Sequence, residues 1–175
     1  MTVTDRSHGT DRDRVAELSV GLGQMRIAGP RHRLVASGLG SCVAIALYDG
    51  TTRLGGLAHI MLPRLAEAHN PLLVTKFADT AIGLMVDEME KQGADCLRLT
   101  AKVFGGGNMF PNLIALGSPM DVGKRNVLTV RETLARLSIP IVAEVVGGAI
   151  GRTVVFDTSD GSIEVRTACL AGRMY

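Results

Sequence analysis

Gly38-Leu39-Gly40-Ser41-Cys42-Val43-Ala44-Ile45-Ala46-Leu47-Tyr48-Asp49-Gly50, followed by Gly55-Gly56-Leu57-Ala58-His59-Ile60-Met61-Leu62-Pro63, decides the fold. Val43 to Tyr48 is a short apolar run between Gly40-Ser41 and Asp49-Gly50, which predicts a buried strand. Gly56 to Leu62 predicts the next strand, ended by Pro63. The turn residues Asp49-Gly50-Thr51 between them predict a hairpin.

Working outward, Thr75 to Lys91 reads as a helix, because Phe77, Ala81, Met85 and Met89 recur every four residues. Gly93 ends it. Leu97 to Val103 alternates apolar and polar residues, the pattern of a half-buried strand. Phe104-Gly105-Gly106-Gly107-Asn108 then reads as a flexible loop. Arg125 to Leu137 predicts a second amphipathic helix with Val127, Val130, Leu134 and Leu137 inward, stopped before Pro140. Ile141 to Val146 reads as a strand. Thr153 to Phe156 and Ser162 to Arg166 read as a hairpin around Thr158-Ser159-Asp160-Gly161. Strands with two main helices between them give a mixed α/β, or α+β, domain.

The 175 residues and a 46% hydrophobic share suit one ordinary domain with a core of its own, expected over residues 15–175. Residues 1–14 mix Asp, Arg, Thr, Ser and His without an apolar segment, so they read as a solvated, poorly ordered tail and not as a signal peptide. No apolar run reaches the ~20 residues that span a bilayer, so a cytoplasmic protein without membrane insertion is expected. A net charge of +2 and only 3% aromatics argue against nucleic acid as a partner. Gly117 to Lys124, GSPMDVGK, has one residue too many between its glycines for a phosphate-binding loop, and Arg125 follows where Ser or Thr belongs. Gly38 to Val43 lacks the third glycine of a dinucleotide fingerprint.

Three widely spaced cysteines, Cys42, Cys96 and Cys169, with no CxxC pair, suit neither a disulfide framework nor a structural zinc site. Cys96 and Cys169 read as structural. Cys42 differs because of His59. A loop Gly50-Thr51, or Asp49 to Thr52, would set Cys42 directly opposite His59 across the hairpin. A turn at Asp49-Gly50 would set them diagonally on the same face. A three- or five-residue loop would put them on opposite faces. Thiol and imidazole on one face make a nucleophile–base pair, in which the imidazole takes the thiol proton and holds a low-pKa thiolate. Gly40 and Ser41 supply unencumbered backbone N–H groups for an oxyanion. The alternative is a structural pair: an inert thiol beside a strand and a satisfied core histidine.

These motifs, with Lys76-Phe77-Ala78-Asp79-Thr80-Ala81-Ile82, Ala101 to Gly106, Gly123-Lys124-Arg125-Asn126-Val127, Gly147-Gly148 and Gly151-Arg152, resemble those of the bacterial chemoreceptor glutamine deamidases, the CheD family. The resemblance covers roughly residues 20 to 167. It implies a layered α/β sandwich of mixed sheet similar to deamidating toxin domains, with no metal and no cofactor. It implies hydrolysis of glutamine side chains on methyl-accepting chemoreceptors, with Cys42 as nucleophile and His59 as base. Some members bind a CheC-type phosphatase. The family's third catalytic residue is a Thr six positions before the cysteine; Ala36 stands here, and its neighbour Ser37 is the expected substitute. Gly40, Ser41, Phe104 and Asn108 are the expected oxyanion or substrate-binding residues. A non-catalytic binding module for receptors or the phosphatase, and a redox-sensing thiol, are the rival readings.

Overall fold

The computed structural model describes residues 15–67, 72–110, 112–113, 118, 120–167 and 170–175. The expected tail at residues 1–14 and Cys169 lie outside the described residues. The strands are β1 (Ala16–Ser19), β2 (Met25–Ala28), β3 (His32–Leu39), β4 (Val43–Asp49), β5 (Leu54–Ile60), β6 (Thr100–Gly105), β7 (Ile141–Val146), β8 (Arg152–Asp157), β9 (Ile163–Thr167) and β10 (Leu170–Met174). The helices are α1 (Ala78–Lys91) and α2 (Val122–Arg136). One sheet runs β1-β3-β8-β9-β10 and the other β2-β5-β4-β6-β7, each with one parallel pair.

Alternation along β4 explains the layering. Val43, Ile45 and Leu47 face the helices and pack with Met85, Met89, Val130 and Leu134. Ala44 and Ala46 face the other sheet and pack with Leu34, Ala36, Val154 and Phe156. The order is therefore sheet, sheet, helix pair: the mixed α/β class expected from the pattern, and the layered sandwich implied by the resemblance. A strand buried on both faces needs little polar alternation, which is why β4 and β5 read as continuous apolar runs. At Gly55 a Cβ would come within 2.7 Å of the Phe156 ring, and at Gly56 within 2.9 Å of the Met85 sulfur. The paired glycines let both layers close on β5.

The hairpin between β4 and β5 is set by Asp49. The pair Asp49–Leu54 closes a four-residue loop, Gly50 to Arg53. The buried Asp49 carboxylate accepts the N–H groups of Thr51 and Asp95 at 2.9 and 3.1 Å and is bound by the Arg98 guanidinium at 2.8 Å. Those bonds end the strand one residue later than a turn at Asp49-Gly50 would.

Other boundaries move for local reasons. Cys96–Arg98 forms a 3-10 turn capped by the Asp95 side chain, so the strand expected from Leu97 begins at Thr100. Cys96 is exposed in that turn and is not a core residue. Val74–Lys76 is likewise a 3-10 turn, and α1 starts at Ala78. Asp121 caps α2 by accepting the N–H of Lys124, so the helix begins at Val122, ahead of the expected Arg125. Phe104 and Gly105 belong to β6, not to a loop. No helix among the described residues is long and apolar enough to cross a membrane.

Candidate active site at the start of the central strand

In the β4–β5 ladder, Ala44 faces His59 and Val43 faces Ile60. Cys42, two residues before Ala44, therefore lies diagonal to His59 on the face between the sheets. The even-numbered loop kept the two on one face, although neither directly opposing register occurs. Cys42 is half-buried and His59 is 1% exposed. The imidazole is therefore the more deeply buried of the two, and no hydrogen bond joins it to the thiol.

Three bonds fix His59, all to the segment that crosses from β1 in one sheet to β2 in the other. The His59 N–H donates to Gln24 O at 2.9 Å, and His59 O accepts from Gly23 N at 2.9 Å. Nδ1 lies 3.3 Å from Val20 O. A carbonyl only accepts, so Nδ1 carries the proton and Nε2 is the basic nitrogen. Val20 N in turn donates to Val35 O at 2.7 Å. Val20 therefore ties the imidazole to the opposite sheet. Nε2 is buried with no hydrogen-bond partner among the described residues.

Burial pushes the Cys42 thiol above its ordinary pKa. Burial also pulls the His59 imidazole below its own, against the raising effect of the Val20 carbonyl. Desolvation penalises both charged forms and so disfavours a thiolate–imidazolium pair in the resting protein. Burial thus works against the expected low-pKa thiolate.

The Gly40–Cys42 loop is held on its other side by glycines. Gly106 N donates to Cys42 O and Gly107 N to Gly40 O, both at 2.8 Å. Gly105 has φ 107°, and a Cβ there would meet Cys42 O at 2.3 Å. Arg152 reaches from β8 and donates to Gly147 O at 2.6 Å and Gly105 O at 3.3 Å, clamping the ends of β6 and β7. The Asn126 amide donates to Ser41 O and Met61 O, each at 3.0 Å.

Gly40 and Ser41 are half-buried beside Cys42. Ser41, Gly107, Asn108 and Met109 line a pocket of about 170 Å³ next to it. The Asn108 side chain accepts the N–H of Phe110 at 3.0 Å and shapes that rim. Phe104 is fully buried against Tyr175, with ring centroids 5.8 Å apart, so its side chain belongs to the core and not to a substrate surface. Ser37 is exposed on β3 and bonds neither nitrogen of His59, while Ala36 is the residue buried between the sheets. Ser37 therefore does not replace the family threonine; adjacent strand residues point to opposite faces. Sequence reasoning missed Val20, Asn126 and Arg152. Val20 acts through its backbone and leaves no signal in its side chain. A polar Asn on the inward stripe of α2 was a usable signal.

Fold and site together define a two-sheet domain with a half-buried thiol and a buried imidazole, bonded through Nδ1 to a main-chain carbonyl, on one face of a hairpin. Residues 61–167 match the family model CheD, described as CheD chemotactic sensory transduction. The chain is 46% identical over 153 residues to the probable chemoreceptor glutamine deamidase CheD of Clostridium kluyveri, covering 87% of this chain and 94% of that one. It is 45% identical over 151 residues to the protein of the same name from Clostridium novyi, covering 86% and 93%. The chain belongs to the CheD family. Among solved structures it is similar to the Bacillus licheniformis hypothetical protein YfiH, with a TM-score of 0.44 and 15% identity over 76% of this chain and 60% of that one.

Proposed function

We propose that the protein hydrolyses glutamine side chains of chemoreceptors to glutamate, through a thioester on Cys42. Membership of the CheD family and the names of its relatives support the substrate. The observation that carries the chemistry is His59 Nε2, a buried imidazole nitrogen without a hydrogen-bond partner among the described residues, on the same face as a half-exposed thiol.

The substrate carboxamide enters above Cys42. His59 Nε2 takes the thiol proton as Sγ attacks the carboxamide carbon, forming the C–S bond and an oxyanion. The N–H groups of the Gly40–Cys42 loop receive that oxyanion. The C–N bond breaks, and His59 gives its proton to the leaving nitrogen, which departs as ammonia. Water then yields its proton to His59 and attacks the thioester, the C–S bond breaks, and the sulfur recovers the proton. The product carboxylate adds a negative charge to the receptor. A CheC-type phosphatase docking on the Met109–Phe110 rim belongs to the same reading; exposed Phe110 beside the Ser41 pocket supports it.

The deciding experiment is mass spectrometry of a chemoreceptor cytoplasmic fragment after incubation with wild-type protein and with Cys42→Ala. Conversion of Gln to Glu by the wild type alone supports the reading. Conversion by both removes Cys42 from the chemistry, and conversion by neither leaves the binding-module reading in its place.

A further inference from the structure

Asn126 lies near the start of α2, fully buried, and its amide joins two strand ends. Nδ2 donates to Ser41 O and to Met61 O. The first carbonyl belongs to the residue before Cys42. The second belongs to the second residue after His59. The partners settle which way the amide faces, because the reverse orientation would press Oδ1 against two carbonyl oxygens. Oδ1 is then buried with no donor among the described residues. A buried polar side chain satisfied at one end only is not what stability alone selects.

The Ser41 bond has a consequence for catalysis. The peptide between Ser41 and Cys42 is planar and trans, so its C=O and N–H point in opposite directions. Pinning Ser41 O on Asn126 aims the Cys42 N–H away from α2. That N–H has no acceptor among the described residues. Gly123, three residues before Asn126, seats the helix directly against the glycine segment: a Cβ there would meet Gly107 O at 2.6 Å and Gly106 O at 2.7 Å. Gly106 and Gly107 are the residues whose N–H groups hold Cys42 O and Gly40 O. The first turns of α2 thus form a backing for both sides of the nucleophile loop.

We propose that Asn126 is a positioning residue for deamidation: it aims the oxyanion-binding N–H of Cys42 and sets the spacing of the strand ends that carry nucleophile and base. It touches no substrate atom. The inference rests on the cysteine mechanism proposed above.

The test compares two reactions of the same thiol. Alkylation of Cys42 by iodoacetamide needs the sulfur but no oxyanion site, whereas deamidation needs both. Asn126→Leu and Asn126→Asp each remove both donors. Either should lower kcat on a chemoreceptor fragment by at least about tenfold, part of the ~10²–10³ that losing one oxyanion donor costs. KM and the alkylation rate at pH 9 should stay within about twofold of wild type. Asn126→Ser, which keeps one donor, should recover part of the loss, and it serves if the other two do not fold. Equal losses in deamidation and alkylation would show a merely structural residue, and an unchanged kcat would overturn the proposal outright. Cys42→Ala, run alongside, separates the two failures: if it still deamidates, the cysteine mechanism falls, and if it is inactive while the Asn126 variants match wild type, only the positioning role does.

Discussion

The carbonyl oxygen of Val20 accepts a hydrogen bond from Nδ1 of His59 at 3.3 Å, while the amide of the same Val20 bonds β3 in the opposite sheet. One backbone unit therefore fixes the tautomer of the imidazole and its place between the sheets. The family's threonine has no counterpart at Ala36, and the orienting group here is part of the main chain.

That arrangement predicts how two neighbours behave. Ser37→Ala should leave the deamidation rate within about twofold of wild type, because the Ser37 hydroxyl is exposed and bonds neither ring nitrogen. Ala36→Thr should not raise the rate. Ala36 is fully buried, so the added atoms should cost about 1–3 kcal/mol of stability by overpacking. Steady-state kinetics and thermal melts check both. A faster Ala36→Thr enzyme would show that the Val20 carbonyl alone holds the ring too loosely.

The nucleophile assignment predicts a loss of at least ~10³-fold in deamidation for Cys42→Ala, with the fold kept, since removing a nucleophile cripples the whole relay. Cys96→Ala should retain activity, because Cys96 sits exposed in a surface turn. The mass of receptor peptides after incubation reads the outcome, and circular dichroism confirms the fold.

Burial sets the pH dependence. The His59 imidazole is held below its ordinary pKa, so it remains a competent base at neutral pH. Activity should fall only as pH drops through a value below ~6.5, where the ring becomes charged. The Cys42 thiol is pushed up, so alkylation should keep rising through pH 8.5 and beyond, with no plateau near neutrality. A labelling rate already level at pH 6 to 7 would indicate a resting ion pair and overturn the neutral-pair description.

The hairpin that carries the site depends on Asp49. Its carboxyl is held far below the usual range, chiefly by the Arg98 guanidinium, which with the backbone N–H groups of Asp95, Thr51 and Thr52 outweighs the cost of burial. A depressed folded pKa means that the stabilisation is complete above the unfolded value of ~3.9 and is lost as pH falls below it. Asp49→Ala should cost roughly 2–4 kcal/mol at neutral pH, since it strips partners from Arg98, Thr51 and Asp95. It should also flatten the loss of stability between about pH 4 and 2. Urea unfolding at a series of pH values measures both effects.

Gly105→Ala should reduce activity at least about tenfold and lower stability, because φ 107° and the 2.3 Å approach to Cys42 O leave no room for a methyl group. Thermal unfolding and the deamidation assay distinguish a displaced loop from an unfolded chain.

The sequence by itself determined the elements whose periodicity is strong: β4 and β5 as apolar runs, α1 and α2 by their inward stripes, β7 and the β8–β9 hairpin. It left open whether Cys42 and His59 share a face, because an odd loop would have separated them, and the four-residue loop Gly50 to Arg53 decided it. It gave no reading of β1, β2, β3 or β10. β1 and β2 are four-residue strands, and β1 and β3 reach their partners across long stretches of chain, so neighbouring residues carry little trace of them. Only the tertiary structure decided the diagonal register, set by the bonds to Asp49, and the burial that disfavours the charged forms of thiol and imidazole. It alone could assign the ring's orientation, because the group that supplies it is a Val20 carbonyl, an atom every residue has. Only the crossing of the chain from one sheet to the other places that atom over His59.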